Sequence, residues 1–274
     1  MIHILTIHHE NIRWIDFQFK NIKKYIKREH RIYMWNATIF HDNIHPDLVW
    51  TEADINRYFY VFDSANTDDS VIRNDVSRRF DVMLEKVYED CDENDILIFL
   101  DNDAVFLDTI DEFLFTKLKN EKYDAVGYWR APSTLYDPTI AIDNSFFATT
   151  VGYWKKIKGN WDGISGVGDK QFGSDYGAVL TEFMMDKKTN FYEMKNTNKI
   201  TLHPRYYQIY ENLVYHHGCT STPYKVNPFI PLVAKDNDVF THEMFRFQFE
   251  LHIYLTDLFF SSPNLFLAYL RGHD

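Results

Sequence analysis

Cysteine is nearly absent. Cys91 and Cys219 are the only two in 274 residues. That is too few for a disulfide framework and points to a reducing compartment, with the cytoplasm as the expected location. Basic charge is also short: 29 Lys and Arg stand against 40 Asp and Glu, a formal charge of -11. Nucleic-acid phosphates select basic surfaces, so nucleic acid is not an expected partner. A local basic pocket for a phosphorylated small molecule stays open. No apolar run reaches the ~18 residues that cross a bilayer, so no membrane span is expected. The opening MIHILTIHHENIRW has no basic stretch before its apolar one, which stops at His8 and His9. It does not read as a secretory signal. Internal repeats, low-complexity linkers and a Gly-rich phosphate loop near residue 10 are missing as well.

Apolar material is plentiful. Hydrophobic residues make up 45% of the chain and aromatics 17%, enough for a large core; one large domain or two small ones would fit. MIHILTI predicts a strand and HHENIRW a loop. IDFQFKNIKKYIK predicts a helix with Ile15, Phe19, Ile22 and Ile26 on one face. RIYMWNA predicts a second strand and YFYVFDS, 58–64, a third. In NTDDSVIRND a turn leads into a helix, with Ser70 or a neighbouring Asp as its cap and Val71 to Tyr88 as its body. ILIFL predicts a buried strand. Strands alternating with helices imply an α/β fold with a mostly parallel central sheet flanked by helices. Ligands in such folds bind beyond the carboxyl ends of the strands. Further on, DAVGYWRA, TIAIDNSFFATT and NLVYHHG predict strands, and DYGAVLTEFMM a helix capped by Ser174. The tail is ambiguous. MFRFQFELHI alternates like a strand, but Thr241 to Phe260 suits a helix with Met244, Phe247, Leu251, Tyr254 and Leu258 on one stripe. Length favours the helix, and such a stripe ordinarily faces the core. Its polar positions are not notably basic, which argues against a membrane surface.

The most informative stretch is ILIFLDNDAVFL, 96–107. A buried strand runs directly into Asp101, Asn102 and Asp103. In an extended segment residues i and i+2 point the same way, so Asp101 and Asp103 can converge. Close carboxylates repel unless a cation or a shared proton lies between them. Mg²⁺ or Mn²⁺ suits such oxygen ligands and keeps positions open for phosphate oxygens. The alternative is a solvated acidic turn in which Asp103 or Asp108 caps a neighbour.

In the order ILTIHH, WIDFQFKNI and then ILIFLDNDAVF about a hundred residues in, the chain resembles nucleotide-sugar-dependent glycosyltransferases of the GT-A fold. Its aromatic-rich style resembles the glycosyltransferases of large DNA viruses, for which the cytoplasm would be the host's. The resemblance implies a single domain over 1–274 with a Rossmann-like sheet, a nucleotide-binding half over 1–107 ending in the DxD, and an acceptor-binding half with the tail over 108–274. It implies a nucleoside-diphosphate sugar as donor, Mn²⁺ or Mg²⁺ on Asp101 and Asp103, and a glycan or glycoprotein acceptor. Asn102 would lie beside the donor. A second resemblance is to haloacid-dehalogenase-type phosphatases, with Asp101 as nucleophile and GVGDKQFGSD supplying Asp169 and Asp175. Their nucleophile strand normally comes first, whereas here a strand–helix–strand unit precedes it. A nucleotidyltransferase could also use paired acids on such a sheet, but the Gly-rich loop is lacking.

Other candidates follow from the first resemblance. Several GT-A families complete the metal site with a histidine at the end of a late strand, and YHHGCTSTPYK offers His216 or His217, with Lys225 placed for the diphosphate. Imidazole is a good Mn²⁺ ligand; two ordinary strand-end histidines are the alternative. Asp175 in GSDYGAVL suits a carboxylate that takes the acceptor proton in an inverting reaction or faces the sugar in a retaining one; simple capping also explains it. Gly173 and Gly177 suggest close approach by another group. Asn144 on AIDNSFF could meet a sugar hydroxyl. Thr6 and His8 follow the first strand, where the base and ribose would lie. Arg78, with Arg73 and Asn74, could reach the nucleotide, and Trp129 could stack on a sugar.

Overall fold

The computed structural model describes residues 1–8, 12–37, 59–63, 76–130, 141–162, 177–203, 206–218 and 239–273. The chain opens with β1 (Ile2–His8), α1 (Ile12–Tyr25) and β2 (His30–Asn36). β3 (Phe59–Asp63), α2 (Val76–Glu89) and β4 (Ile96–Leu100) follow. β1 lies between β2 and β4 and is parallel to both. β5 (Ala104–Phe106) leaves this sheet, and α3 (Ile110–Phe115) leads through a π-helical turn to β6 (Ala125–Arg130). β7 (Ala141–Thr150), α4 (Val151–Ile157), α5 (Ala178–Asp186) and β8 (Phe191–Glu193) complete the main layer. Its strand order is β3-β2-β1-β4-β7-β6-β8. The β3–β2, β2–β1, β1–β4 and β6–β8 pairs are parallel; β7 runs antiparallel to β4 and β6. The sheet is therefore mostly parallel, as the alternation of strands and helices predicts.

The strand pleat explains why β1 and β4 read as unbroken apolar runs. Successive side chains point to opposite faces, and both faces are covered. Ile2, Ile4, Ile96, Ile98 and Leu100 pack with Ile15, Phe19 and Ile22 of α1 and with Ile26 just beyond it. Leu5, Ile7, Leu97 and Phe99 pack on the other side with Phe80, Met83, Leu84 and Val87 of α2, and with residues of α4 and α5. The predicted stripe of α1 is buried throughout.

A second, antiparallel sheet has the order β5-β10-β9, where β9 is Gln208–Tyr210 and β10 is Val214–His216. The tail folds onto it as α6 (Val239–Ser261) and α7 (Pro263–Leu270). The tail is thus helical, but the expected core stripe is not the buried one. Leu251, Tyr254 and Leu258 are exposed by 42%, 63% and 36%; the side chains of Met244 and Phe247 lie outside the described residues. Phe259, with Leu255 and Phe260 beside it, packs against Trp14, Tyr215 and Phe266. Apolar residues ring this helix, so periodicity alone offers several stripes. The choice is made by Trp14, whose ring stacks on Phe259 at 5.4 Å. Trp14 itself was expected in a loop; α1 starts at Ile12 and carries it into the tail's aromatic cluster. Among the described residues no helix is long and apolar enough to cross a membrane.

Two predictions follow from this packing. Phe99 has the rings of Trp154, Phe80 and Trp161 within 4.6, 5.1 and 5.2 Å. Phe99→Ala is expected to cost about 3–5 kcal/mol, read as a lower urea midpoint at unchanged slope. His3 is buried, with Nδ1 3.1 Å from the Tyr33 hydroxyl and Nε2 3.2 Å from Asp95 Oδ2. Burial holds its pKa below the ordinary 6.5 despite the nearby Asp95 carboxylate. The unfolded chain binds a proton below that pH which the folded His3 refuses, so this stability is present above 6.5 and lost as pH falls below it. Relative to His3→Gln, the native protein should lose up to about 1.4 kcal/mol more per pH unit there. Parallel stability–pH profiles for the two proteins would contradict this.

Candidate metal centre

The turn after β4 is the hinge between the two sheets. Asp101 N still donates to Ser145 O of β7 at 3.0 Å, the last bond on the main-sheet side. The chain then closes a tight turn, in which Ala104 N donates to Asp101 O at 3.1 Å and Asn102 N to Asp101 Oδ1 at 2.8 Å. β5 starts at once and pairs with β10, Ala104 opposite His216. His217 N donates to Asp103 O at 3.1 Å, which locks the turn to the end of β10.

This register puts the acids beside an imidazole. His216 Nε2 lies 3.5 Å from Asp103 Oδ1. Asp101, Asp103 and His216 each present a ligand atom, all within 4.8 Å of one another. Asp103 and His216 are buried and Asp101 is half-buried. The acids converge through a turn and not, as expected, through an extended segment. Two carboxylates and an imidazole fit a hard or borderline divalent cation such as Mg²⁺ or Mn²⁺. Taking Asp103 out of water is costly without a compensating positive charge, so the donor set also fits a cation electrostatically.

α1 holds the turn from below. Gln18 is fully buried, and its Nε2 donates to Asp101 O at 2.6 Å and to Ala104 O at 2.8 Å. Its Oε1 accepts from Thr6 Oγ1 at 3.1 Å and lies 3.0 Å from His8 Nε2. One turn later Asn21 bonds both backbone groups of Phe106, Nδ2 to O at 2.6 Å and N to Oδ1 at 2.7 Å. Gln18 and Asn21, three apart on one helix face, thus act as an extra strand edge for β5. The signal available in the sequence was a glutamine lying within the buried face of α1.

The other predicted residues fall in different places. Thr6 and His8 are buried in the Gln18 network. His217 is fully buried; its Nδ1 lies 2.7 Å from the Tyr215 hydroxyl and its Nε2 2.9 Å from Thr256 Oγ1. Burial drives its pKa well below the ordinary value, with His252 and His216 adding to the effect. Both of its ring nitrogens are occupied away from the Asp101–Asp103–His216 group. Arg78 points outward, paired with Asp81 at 3.3 Å. Asn102 is buried and Asn144 half-buried. Trp129 packs edge-on against Phe191 at 5.3 Å. Asp175 and Lys225, with Arg73, Asn74, Gly173 and Ser174, lie outside the described residues. At Gly177, which caps α5 with φ +91°, the close neighbour is the backbone: a Cβ there would meet Ile142 O at 2.5 Å.

β7 is irregular at the site. Gly127 pairs with Phe147 and Trp129 with Ile142, so Asp143, Asn144, Ser145 and Phe146 stand opposite Tyr128 alone. Such bulges re-aim side chains and are common beside functional sites. Here the bulge turns Ser145 toward His216, Oγ to Nδ1 3.2 Å. Tyr128 and Tyr210 stack at 3.5 Å near the same place. Burial, followed by the Asp143 charge, raises the pKa of both phenols, so they stay neutral.

No protein-family model and no curated protein sequence matches the chain. Among solved structures it is similar to the mannosyltransferase PcManGT of Pyrobaculum calidifontis, in complex with GDP-Man and Mn²⁺. Identity is 11% and TM-score 0.47, over 70% of this chain and 54% of that one. It is similar to the galactosyltransferase LgtC with donor and acceptor sugar analogues, at 14% identity and TM-score 0.35, over 57% and 60%. A third is mouse xyloside xylosyltransferase 1, at 10% identity and TM-score 0.41, over 71% and 85%. The chain spans 54% of the mannosyltransferase and 60% of LgtC.

The support from α1 is testable. Gln18→Leu removes the amide donor to Asp101 O and Ala104 O and the amide oxygen facing Thr6 and His8; Asp101 O keeps Ala104 N, and Thr6 Oγ1 and His8 Nε2 keep each other at 3.3 Å. The substitution is expected to cost about 1–3 kcal/mol for each group left buried and unpaired. Chemical denaturation reads the loss; a variant as stable as the native protein would contradict the arrangement.

Proposed function

We propose that this chain is a metal-dependent glycosyltransferase of the GT-A type, moving a sugar from a nucleoside-diphosphate sugar to a hydroxyl of a glycan or glycoprotein. The observation that carries the reading is the convergence of Asp101, Asp103 and His216 at the carboxyl end of β4. That is where an α/β sheet of this kind binds ligands. Asp101, Asp103 and His216 hold the cation. When bound, Mg²⁺ or Mn²⁺ supplies the positive charge that offsets the charge growing on a leaving diphosphate.

The chain's own residues do the rest. Gln18, backed by Thr6 and His8, keeps the turn from shifting when the carboxylates engage a ligand. Asn102 and Asn144 flank the donor, with Lys225 as a basic contact; Arg78, turned outward to Asp81, is not part of this arrangement. Asp175 takes the acceptor proton in an inverting reaction or faces the sugar in a retaining one. In this reading residues 1–107 bind the nucleotide and 108–274 the acceptor, and the protein works in a reducing compartment such as the cytoplasm.

A panel of nucleotide sugars with Mn²⁺, assayed for nucleoside diphosphate release, tests the proposal. Turnover should appear with at least one donor and vanish on chelation. Asp103→Ala should lower it by roughly a thousandfold, the scale of several kcal/mol of lost charge stabilisation, with an unchanged circular dichroism spectrum. Phosphate release from a simple phosphomonoester, with no turnover of any nucleotide sugar, would replace this reading with a phosphatase using Asp101 as nucleophile.

A further inference from the structure

We propose that Asp143 and Ser145, in the bulge of β7, are positioning residues that hold His216 in the Nδ1–H tautomer. Its Nε2 lone pair then faces Asp101 and Asp103. The proposal rests on the metal reading above for its use, but not for its geometry.

The argument is a count of donors. Ser145 Oγ is hydrogen-bonded to Asp143 Oδ1 and lies 3.2 Å from His216 Nδ1. The same Asp143 oxygen accepts from Ser145 N at 2.9 Å, which fixes the carboxylate against the serine. A carboxylate only accepts, so the single hydroxyl proton of Ser145 goes to Asp143. The serine oxygen is then an acceptor, shared by the Tyr128 phenol and His216 Nδ1; at 3.2 Å a bare Nδ1 lone pair would repel it, so Nδ1 carries a hydrogen. In the neutral imidazole, the form able to hold a cation, this is the single N–H, so Nε2 carries a lone pair. That lone pair faces Asp103 Oδ1 at 3.5 Å. Two acceptors at that separation repel, and a cation between them removes the repulsion. The surroundings keep water from replacing the relay: Asp143, Ser145 and His216 are 7%, 1% and 8% exposed. Metal-bound histidines commonly have the second nitrogen fixed in this way, and loss of the outer partner weakens metal binding about 10–100-fold.

Two readouts test it on the whole of this chain. Long-range ¹H–¹⁵N spectra report the tautomer of His216, assigned by its loss in His216→Gln. Titration with Mn²⁺, followed by electron paramagnetic resonance, reports affinity. The native protein should show the Nδ1–H form and bind Mn²⁺. Ser145→Ala, and Ser145→Cys with nearly the same volume and a poor acceptor, should lose the fixed tautomer and bind Mn²⁺ 10–100-fold more weakly. Ser145→Thr, which keeps the hydroxyl, should restore both. If the native protein binds Mn²⁺ while the Ala and Cys variants keep its tautomer and affinity, the relay is overturned and the metal site stands. If the native protein binds no Mn²⁺ but the tautomer still depends on Ser145, the metal reading falls and the relay stands.

Discussion

Two carboxylates cannot share a buried corner without positive charge near them, and this constraint organises the centre of the molecule. Asp101 and Asp103 are brought together where the chain leaves the main sheet for the small one. Each neighbouring element answers the resulting strain in its own way. β10 delivers His216 by register, because Ala104 lies opposite it. α1 delivers a neutral amide that grips the backbone of the turn and leaves the side-chain oxygens to one another. β7 breaks its ladder so that a serine, itself held by a third carboxylate, can reach the back of the imidazole. Every one of these contacts leaves the ligand-facing atoms of the three side chains directed at one point.

The two sheets matter for the same reason. A single sheet ending at β4 would present its acids on a free loop. Here the turn is tied at both ends by backbone hydrogen bonds, to β7 before it and to β10 after it. The tail helices cover the small sheet through Trp14, Phe259 and Tyr215, which buries β10 and keeps His217 dry. The two adjacent histidines therefore live in opposite surroundings. One is aimed at carboxylates, and the other is sealed among aromatic rings with both nitrogens in use.

Much of this was legible in the sequence, and the rest was not for physical reasons. β1, α1, β2 and β4 follow from apolar periodicity because both faces of the sheet are covered. The acid pair stands out because it interrupts an apolar run. The choice between His216 and His217 was hidden, since alternation gives opposite faces but not which face is which; the pairing with β5 supplies that. Gln18 lies within the apolar stripe of α1, which marks it as buried, but its partners on the turn after β4 are not readable from the sequence; Ser145 carries no mark of burial. Asp143 is a charged residue on an otherwise apolar strand and needs a partner there, but the bulge that gives it one depends on pairing with β6. The tail stripe was misplaced because α6 is apolar on several sides and the partners that select among them, Trp14, Tyr215 and Phe266, come from other elements.

The central claim is that Asp101, Asp103 and His216 hold one divalent cation. The most direct measurement is an anomalous difference map from a crystal soaked in Mn²⁺, collected above and below the manganese edge. The account predicts a single strong peak in contact with oxygens of both aspartates and with Nε2 of His216. A map with no peak there, or with manganese bound only elsewhere on this acidic protein, would contradict it.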